Sequence, residues 1–252
     1  MENKIKVLLV GYGKMGKMIH ENAELVNADI VSIIDPNNTK YDVSFDSIDF
    51  TNIDVAIEFT HPEVCLQNIE KLINKNIPVV TGTTGWFGQI EGLYKKINPE
   101  AHTLIYGANY SIGMNLFYEI VNSAAGLINQ TGLYDFYGLE SHHRQKADSP
   151  SGTAKVLSEI LLENSKNKDK AIYDINNKQL GQNEFTFTSV RAGNITGYHE
   201  IGFDSDFDEI KLIHNAKSRK GFALGALFAA RYALKIKGIF NFKDIFHDVI
   251  KI

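Results

Sequence analysis

The stretch that most constrains the fold is "IKVLLVGYGKMG", residues 5–16. A β-branched apolar run stops at a glycine, and a helical pattern follows it. The spacing Gly11-x-Gly13-x-x-Gly16 demands a backbone that turns tightly, lets a ligand come close, and packs a helix hard against a strand. Such a turn aims the first, unpartnered amides of the helix at an anion. The loop Gly11, Tyr12, Gly13, Lys14, Met15 and Gly16 is therefore a candidate dinucleotide cradle. Asp35 closes the second apolar run, 19 positions beyond Gly16. A carboxylate there would accept hydrogen bonds from an adenosine ribose and repel a 2′-phosphate. Pro36 rather than an arginine follows, so NADH is expected to serve at least as well as NADPH.

The same pattern then repeats. Apolar runs at 5–10, 29–34, 54–59, 77–81 and 102–107 alternate with helical segments at 14–26, 62–75 and 86–97. That alternation predicts an α/β fold, a Rossmann-type doubly wound parallel sheet. After "GANYSIGMN" (107–115) the character changes. Helices over 113–130 and 152–164, with alternating strands at 133–143, 183–193 and 208–216, predict a second, α+β domain whose sheet has one wetter face. Residues 163–179 read as a polar, exposed connection, and 221–238 as a helix that packs back on the first domain.

A length of 252 residues accommodates one large or two modest domains. The net charge of -4 lacks the basic excess of a nucleic-acid binder. Cys65 is the single cysteine, so neither an intramolecular disulfide nor a cysteine-based zinc site is expected, and a reducing compartment is favoured. No metal is expected. The N-terminal apolar run is too short for a signal peptide, and no run approaches the roughly 18 apolar residues of a membrane span, which predicts a cytoplasmic protein without membrane attachment.

Three further stretches carry polar groups at element ends. "TGTTG" (81–85) could bring backbone up to a flat ligand, or be an ordinary turn. In "FTHPE" (59–63), Pro62 suits the first position of a helix and leaves His61 in the turn before it. "HHRQKADSPSGT" (142–153) holds no hydrophobic residue larger than alanine. Ser149 or Ser151 can cap the helix that starts there, leaving the amides of Gly152 and Thr153 facing outward as an anion site that Arg144 and Lys146 would strengthen. An imidazole beside that site could exchange a proton near neutral pH. These residues alone point to the handling of a carboxylate or phosphate, against the alternative of a polar loop capping a helix.

"ESHHRQKADSPSGTA" (140–154) closely resembles the signature E-x-H-H-x-x-K-x-D-x-P-S-G-T-A of the 4-hydroxy-tetrahydrodipicolinate (dihydrodipicolinate) reductase family. "VGYGKMG", "EFTHPE", "GTTGW", "GANYSIGMN", "RAGNITGYHEIGF" and "HNAKSRKGFALGA" extend the resemblance over nearly the whole chain. It implies a dinucleotide-binding domain from 1–107 plus 218–252, and a central domain, 108–217, with a mixed sheet that binds substrate and forms a homotetramer. The implied reaction is the NADH- or NADPH-dependent reduction of 4-hydroxy-2,3,4,5-tetrahydrodipicolinate, a small dicarboxylate, to 2,3,4,5-tetrahydrodipicolinate with loss of water, in lysine and diaminopimelate biosynthesis. By position, His142 resembles the general acid/base and Lys146 the cationic proton donor. His143, Lys146, Gly152 and Thr153 resemble the groups that hold the substrate carboxylates. Gly82, Thr83 and Thr84, with Gly107, Ala108, Asn109 and Tyr110, resemble the nicotinamide-side contacts, and the resemblance puts Arg219 near the interdomain hinge or the cofactor. Ser149 stands where alanine is common, and the glycine loop is one residue shorter than in many relatives. A different two-domain nicotinamide oxidoreductase would share residues 1–106 but has no use for 142–153. A redox sensor would bind nucleotide without turnover.

Overall fold

The computed structural model describes residues 4–38, 40–41, 44–174 and 179–251. The chain starts with β1 (Ile5–Val10), α1 (Lys14–Asn22), β2 (Ala28–Ile34), β3 (Val55–Glu58), α2 (Pro62–Ile73), β4 (Val79–Thr81), α3 (Ile90–Tyr94) and β5 (Thr103–Tyr106). Next come α4 (Ile112–Thr131), β6 (Asp135–His142), α5 (Gly152–Glu163), β7 (Lys170–Ile172), β8 (Glu184–Arg191), β9 (Tyr198–Asp204) and β10 (Glu209–Asn215). The chain ends with α6 (Lys220–Ala233), β11 (Gly238–Asn241) and α7 (Phe242–Val249). Two compact units result, Met1–Ile112 with Arg219–Ile252, and Gly113–Ser218. Among the described residues no helix is long and apolar enough to cross a membrane.

The first unit carries a six-stranded sheet in the order β11-β5-β4-β3-β1-β2, every pair parallel. Its strands are largely apolar because both faces are covered. Val7, Leu9, Val55, Ile57, Val80 and Ile105 point to one side, against Ile19 of α1, Ala223, Ala226, Leu227 and Ala230 of α6, and Phe246 of α7. Leu8, Val10, Ala56, Val79 and Leu104 point to the other, against Cys65, Ile69 and Leu72 of α2 and Trp86. Small residues bring α6 close. A Cβ on Gly225 would sit 1.8 Å from the Tyr110 carbonyl oxygen. Arg231 of the same helix donates to the Val26 and Asn27 carbonyls at 3.0 and 3.3 Å. The register aligns the strand ends, with Val10 beside Ile34 and Glu58, Glu58 beside Thr81, and Thr81 beside Tyr106. Residues 35, 11, 59, 82 and 107 therefore follow one another along a single rim of the sheet.

The second unit carries a mixed sheet, order β10-β9-β6-β8-β7, antiparallel across β10/β9 and β9/β6 and parallel across β6/β8 and β8/β7. One face buries Phe136, Phe185, Phe187, Ile201 and Phe203 beneath Phe117 and Val121 of α4 and Leu157 and Leu161 of α5. The other face is wetter, with Ile213 of β10 more than half exposed.

Several expected elements are redrawn. Helix α1 stops at Asn22, and Ala23–Val26 tighten into a 3-10 turn that ends with Asn27 in the left-handed region. The helix expected over 86–97 shrinks to a 3-10 turn at Phe87–Gln89 and the five residues of α3, in a stretch where Gly88 and Gly92 weaken helix. The helix expected over 221–238 ends at Ala233, and Gly238, at φ +131, opens β11 instead. The connection 163–179 contains β7, and its residues 175–178 lie outside the described residues. Strand β9 and helix α7 were not expected at all.

Candidate functional site

At the carboxyl ends of β1 to β4 lies a cleft of about 1380 Å³, where the strand order reverses between β1 and β3. That switch point is where doubly wound sheets bind ligands. The cleft gathers Gly11, Tyr12, Gly13, Lys14, Met15, Asp35, Gly82, Thr83 and Thr84, together with His61. Gly11 adopts φ +95, and a Cβ there would lie 2.1 Å from the Phe59 carbonyl oxygen. Gly16 is the packing member of the motif, since its Cβ would meet the Gly11 carbonyl at 2.3 Å. Gly13 occupies the N-cap of α1, makes no side-chain cap, and has open space where its side chain would be. An uncapped helix start facing a cleft fits a pyrophosphate. Asp35 accepts from the Tyr12 amide at 3.0 Å and the Asn37 amide at 2.9 Å, so its charge both fixes the glycine turn and remains at the rim.

On the nicotinamide side the expected residues divide. Thr83 is buried and its Oγ1 accepts from the Thr60 amide at 2.8 Å, while Thr84 is exposed. Gly107, Ala108, Asn109 and Tyr110 do not line this cleft. Tyr110 is enclosed, donating its hydroxyl to the Thr81 and Ile105 carbonyls. His61 forms the N-cap of α2 with Pro62 next to it, and Arg219 that of α6.

The second cluster lies in the other unit and follows from the period of a strand. Glu140 and His142, two apart on β6, share the buried face. Glu140 is paired with Ser189 of β8 and His199 of β9, and His142 with Arg191 of β8. The fully buried Glu140 carboxylate accepts from the Ser151 amide at 3.0 Å, the Ser151 hydroxyl, the Ser189 hydroxyl at 2.7 Å and the Arg191 guanidinium at 2.9 Å. Arg191 also donates to the Asp148 carbonyl at 2.6 Å. Lys146 meets the Asp148 carboxylate at 2.8 Å. His142 places Nδ1 3.4 Å from Glu140 Oε2, and His199 places Nε2 3.6 Å from the same oxygen. Ser151 supplies the cap of α5, its Oγ accepting from the Ala154 amide at 3.1 Å. Gly152 is exposed, and a Cβ there would meet nothing within 4 Å. The opening of α5 is thus accessible. Arg144 and Gln145 are exposed, and His143 is half-buried.

Burial alone would raise the Glu140 carboxyl, but the facing His199 ring and the bonds from Ser151 and Ser189 hold it well below the ordinary carboxylate range. Burial drives His142 down to about 4, opposed by Glu140 and assisted by His199, Lys146 and Arg191. Its imidazole is therefore neutral at pH 7. Glu140, His142 and His199 offer ligand atoms within 4.8 Å of one another, which raises the question of a metal ion. The carboxylate already serves four donors, one of them a guanidinium whose charge opposes a neighbouring cation, so Glu140 reads as a hydrogen-bonded hub faced by two imidazoles.

Glu140 and Arg191 were not singled out by their own signal. The E-x-H spacing on a strand could have flagged Glu140, because it puts a carboxylate on the same face as the histidine. Arg191 is placed by cross-strand register, which a single sequence does not display.

A parallel sheet with a ligand cleft at its switch point, and a second sheet presenting imidazole, ammonium and an accessible helix start, define a pyridine-nucleotide-dependent oxidoreductase. Two family models, described as dihydrodipicolinate reductase, N-terminus and C-terminus, match residues 5–110 and 113–246. The chain belongs to the dihydrodipicolinate reductase family. A 4-hydroxy-tetrahydrodipicolinate reductase of Christiangramia forsetii is 37% identical over 248 residues, covering 98% of this chain and 100% of that protein. One of Staphylococcus saprophyticus is 32% identical over 247 residues, covering 96% and 100%. Among solved structures, a dipicolinate-bound dihydrodipicolinate reductase from Paenisporosarcina sp. TG-14 superimposes with a TM-score of 0.73 at 22% identity, covering 96% of this chain and 99% of that one.

Proposed function

We propose that this chain reduces 4-hydroxy-2,3,4,5-tetrahydrodipicolinate to 2,3,4,5-tetrahydrodipicolinate with loss of water, as a step of lysine and diaminopimelate biosynthesis. The observation that carries the reading is the tying of His142, Lys146 and the accessible start of α5 into one cluster through Glu140, Arg191 and Asp148. Lys146, His143 and the Gly152 and Thr153 amides hold the two carboxylates of the substrate, with Lys146 exchanging Asp148 for a substrate oxygen. Two arriving negative charges raise the proton affinity of His142, so this neutral ring becomes protonated as the substrate binds. Gly11 to Met15 and Asp35 would hold a pyridine nucleotide, which would supply the hydride. His142 and Lys146 supply the proton that quenches negative charge developing on the ring.

The test is to give purified protein NADH or NADPH with freshly condensed pyruvate and aspartate semialdehyde. Reduced-nicotinamide absorbance is expected to fall with either nucleotide, and a rate no greater than that of an enzyme-free control refutes the activity. NADH is expected to serve at least as well as NADPH, because the Asp35 charge would repel a 2′-phosphate. Asp35→Asn, which keeps an acceptor for the Tyr12 amide, is expected to move the NADPH-to-NADH ratio of kcat/KM upward by about tenfold. An unchanged ratio would assign the preference elsewhere.

A further inference from the structure

We propose that Glu140 is the positioning residue of the proton-transfer site, orienting His142 through Nδ1 and fastening that ring to the anion-binding start of α5. This assignment rests on the reading of His142 as the proton-transfer group of the reductase. A single buried carboxylate faces His142 and His199 and bonds Ser151, Ser189 and Arg191. Its Oε2 faces His142 Nδ1 at 3.4 Å, and its oxygens take both the amide and the hydroxyl of Ser151, the residue that caps α5. Arg191 bonds the same carboxylate and the Asp148 carbonyl, which places the Lys146 partner in the same frame. The His142 ring is wedged edge-on against His199, with centroids 5.1 Å apart at 73°.

An anion 3.4 Å from a buried Nδ1 that makes no hydrogen bond favours, by charge–dipole attraction, the neutral tautomer whose hydrogen sits on Nδ1. Nε2 is then left with its lone pair and becomes the nitrogen that gains and releases the working proton. The same charge stabilises the imidazolium once it forms. The charged and titratable groups facing His142 are Glu140 on its own strand, Arg191 on β8, His199 on β9 and Lys146 in the following loop. Among these groups Glu140 alone favours the protonated ring. A purely structural Glu140 would change stability when replaced, with no effect on tautomer or on His142 titration.

The deciding measurement is nitrogen NMR of histidine-labelled, full-length protein, with His142 assigned from its loss in His142→Gln. Neutral His142 in the unaltered protein is expected to carry its hydrogen on Nδ1. A hydrogen on Nε2 overturns the assignment without any variant having to fold. In Glu140→Gln the His142 midpoint is expected to drop further, and the basic limb of the kcat profile to move about one pH unit toward acid. There kcat at neutral pH falls about tenfold or more with the nucleotide KM unchanged, and Glu140→Asp restores part of it. A folded Glu140→Gln protein with unaltered His142 titration and pH profile also overturns it. Absence of turnover in the unaltered protein would sink the reductase reading, while the NMR result would still decide whether Glu140 orients His142.

Discussion

Replacing Lys146 with alanine is expected to cut turnover about a hundredfold or more while leaving nucleotide affinity within about twofold. The Lys146 ammonium lies 2.8 Å from Asp148, in a side chain that is only 24% exposed, and it is linked through Asp148 and Arg191 to Glu140. In the proposed mechanism its loss removes both a counter-charge for a substrate carboxylate and a proton source for the ring. Stability should change little, since its partner Asp148 is 54% exposed and such pairs contribute at most about 1 kcal/mol. Lys146→Arg separates the two roles. Its guanidinium still binds a carboxylate but does not give up a proton, so substrate affinity is expected to survive and turnover is not. Steady-state kinetics with nucleotide binding by fluorescence checks this. Equal, modest losses in turnover and in nucleotide affinity would remove Lys146 from the chemistry.

The second large effect is structural. Gly225→Ala would place a methyl group 1.8 Å from the Tyr110 carbonyl oxygen, backbone against backbone, where no side-chain rotation relieves the contact. Helix α6 must move away from the sheet it covers, disturbing the packing of Ala223, Ala226 and Leu227 on Val55 and Val80. Overpacking of this kind costs about 3 kcal/mol, which corresponds to a Tm lower by about 10 °C in a chain of this size. Gly13→Ala is the contrast, because a Cβ there meets nothing within 4 Å. Its Tm is expected to stay near that of the unaltered protein while nucleotide affinity weakens. Thermal denaturation of the two variants side by side tests the pair, and equal melting temperatures would contradict the packing described.

The alternation of apolar runs and helical segments made the first sheet legible, because strands buried on both faces write continuous hydrophobic stretches such as "KVLLV". The glycine turn and Asp35 were legible for the same reason, each falling at the end of such a run. Strand β9 was not, since its buried positions include His199 and Gly202 follows Ile201, so a polar and a small residue conceal the period of two. Strand β11 was hidden inside a helical pattern that Gly238 terminates. At the site, "HHRQKADSPSGT" exposed the cap, the lysine and the histidines, but the partner of His142 lies two residues before it. Arg191, on another strand, is brought in only by register.

The first sheet is completed from both ends of the chain. Its edge strand β11, and helix α6 that fills one of its faces, are made only after residues 113–218. During synthesis the central unit therefore has all its strands in hand while the nucleotide-binding sheet still lacks an edge and a cover. Arg231 reaches the Val26 and Asn27 carbonyls across an interval of about two hundred residues, and β11 follows it in the chain. Proteolysis that removes only the final segment would strip α6 and β11 from the first sheet while leaving the residues of the central unit uncut.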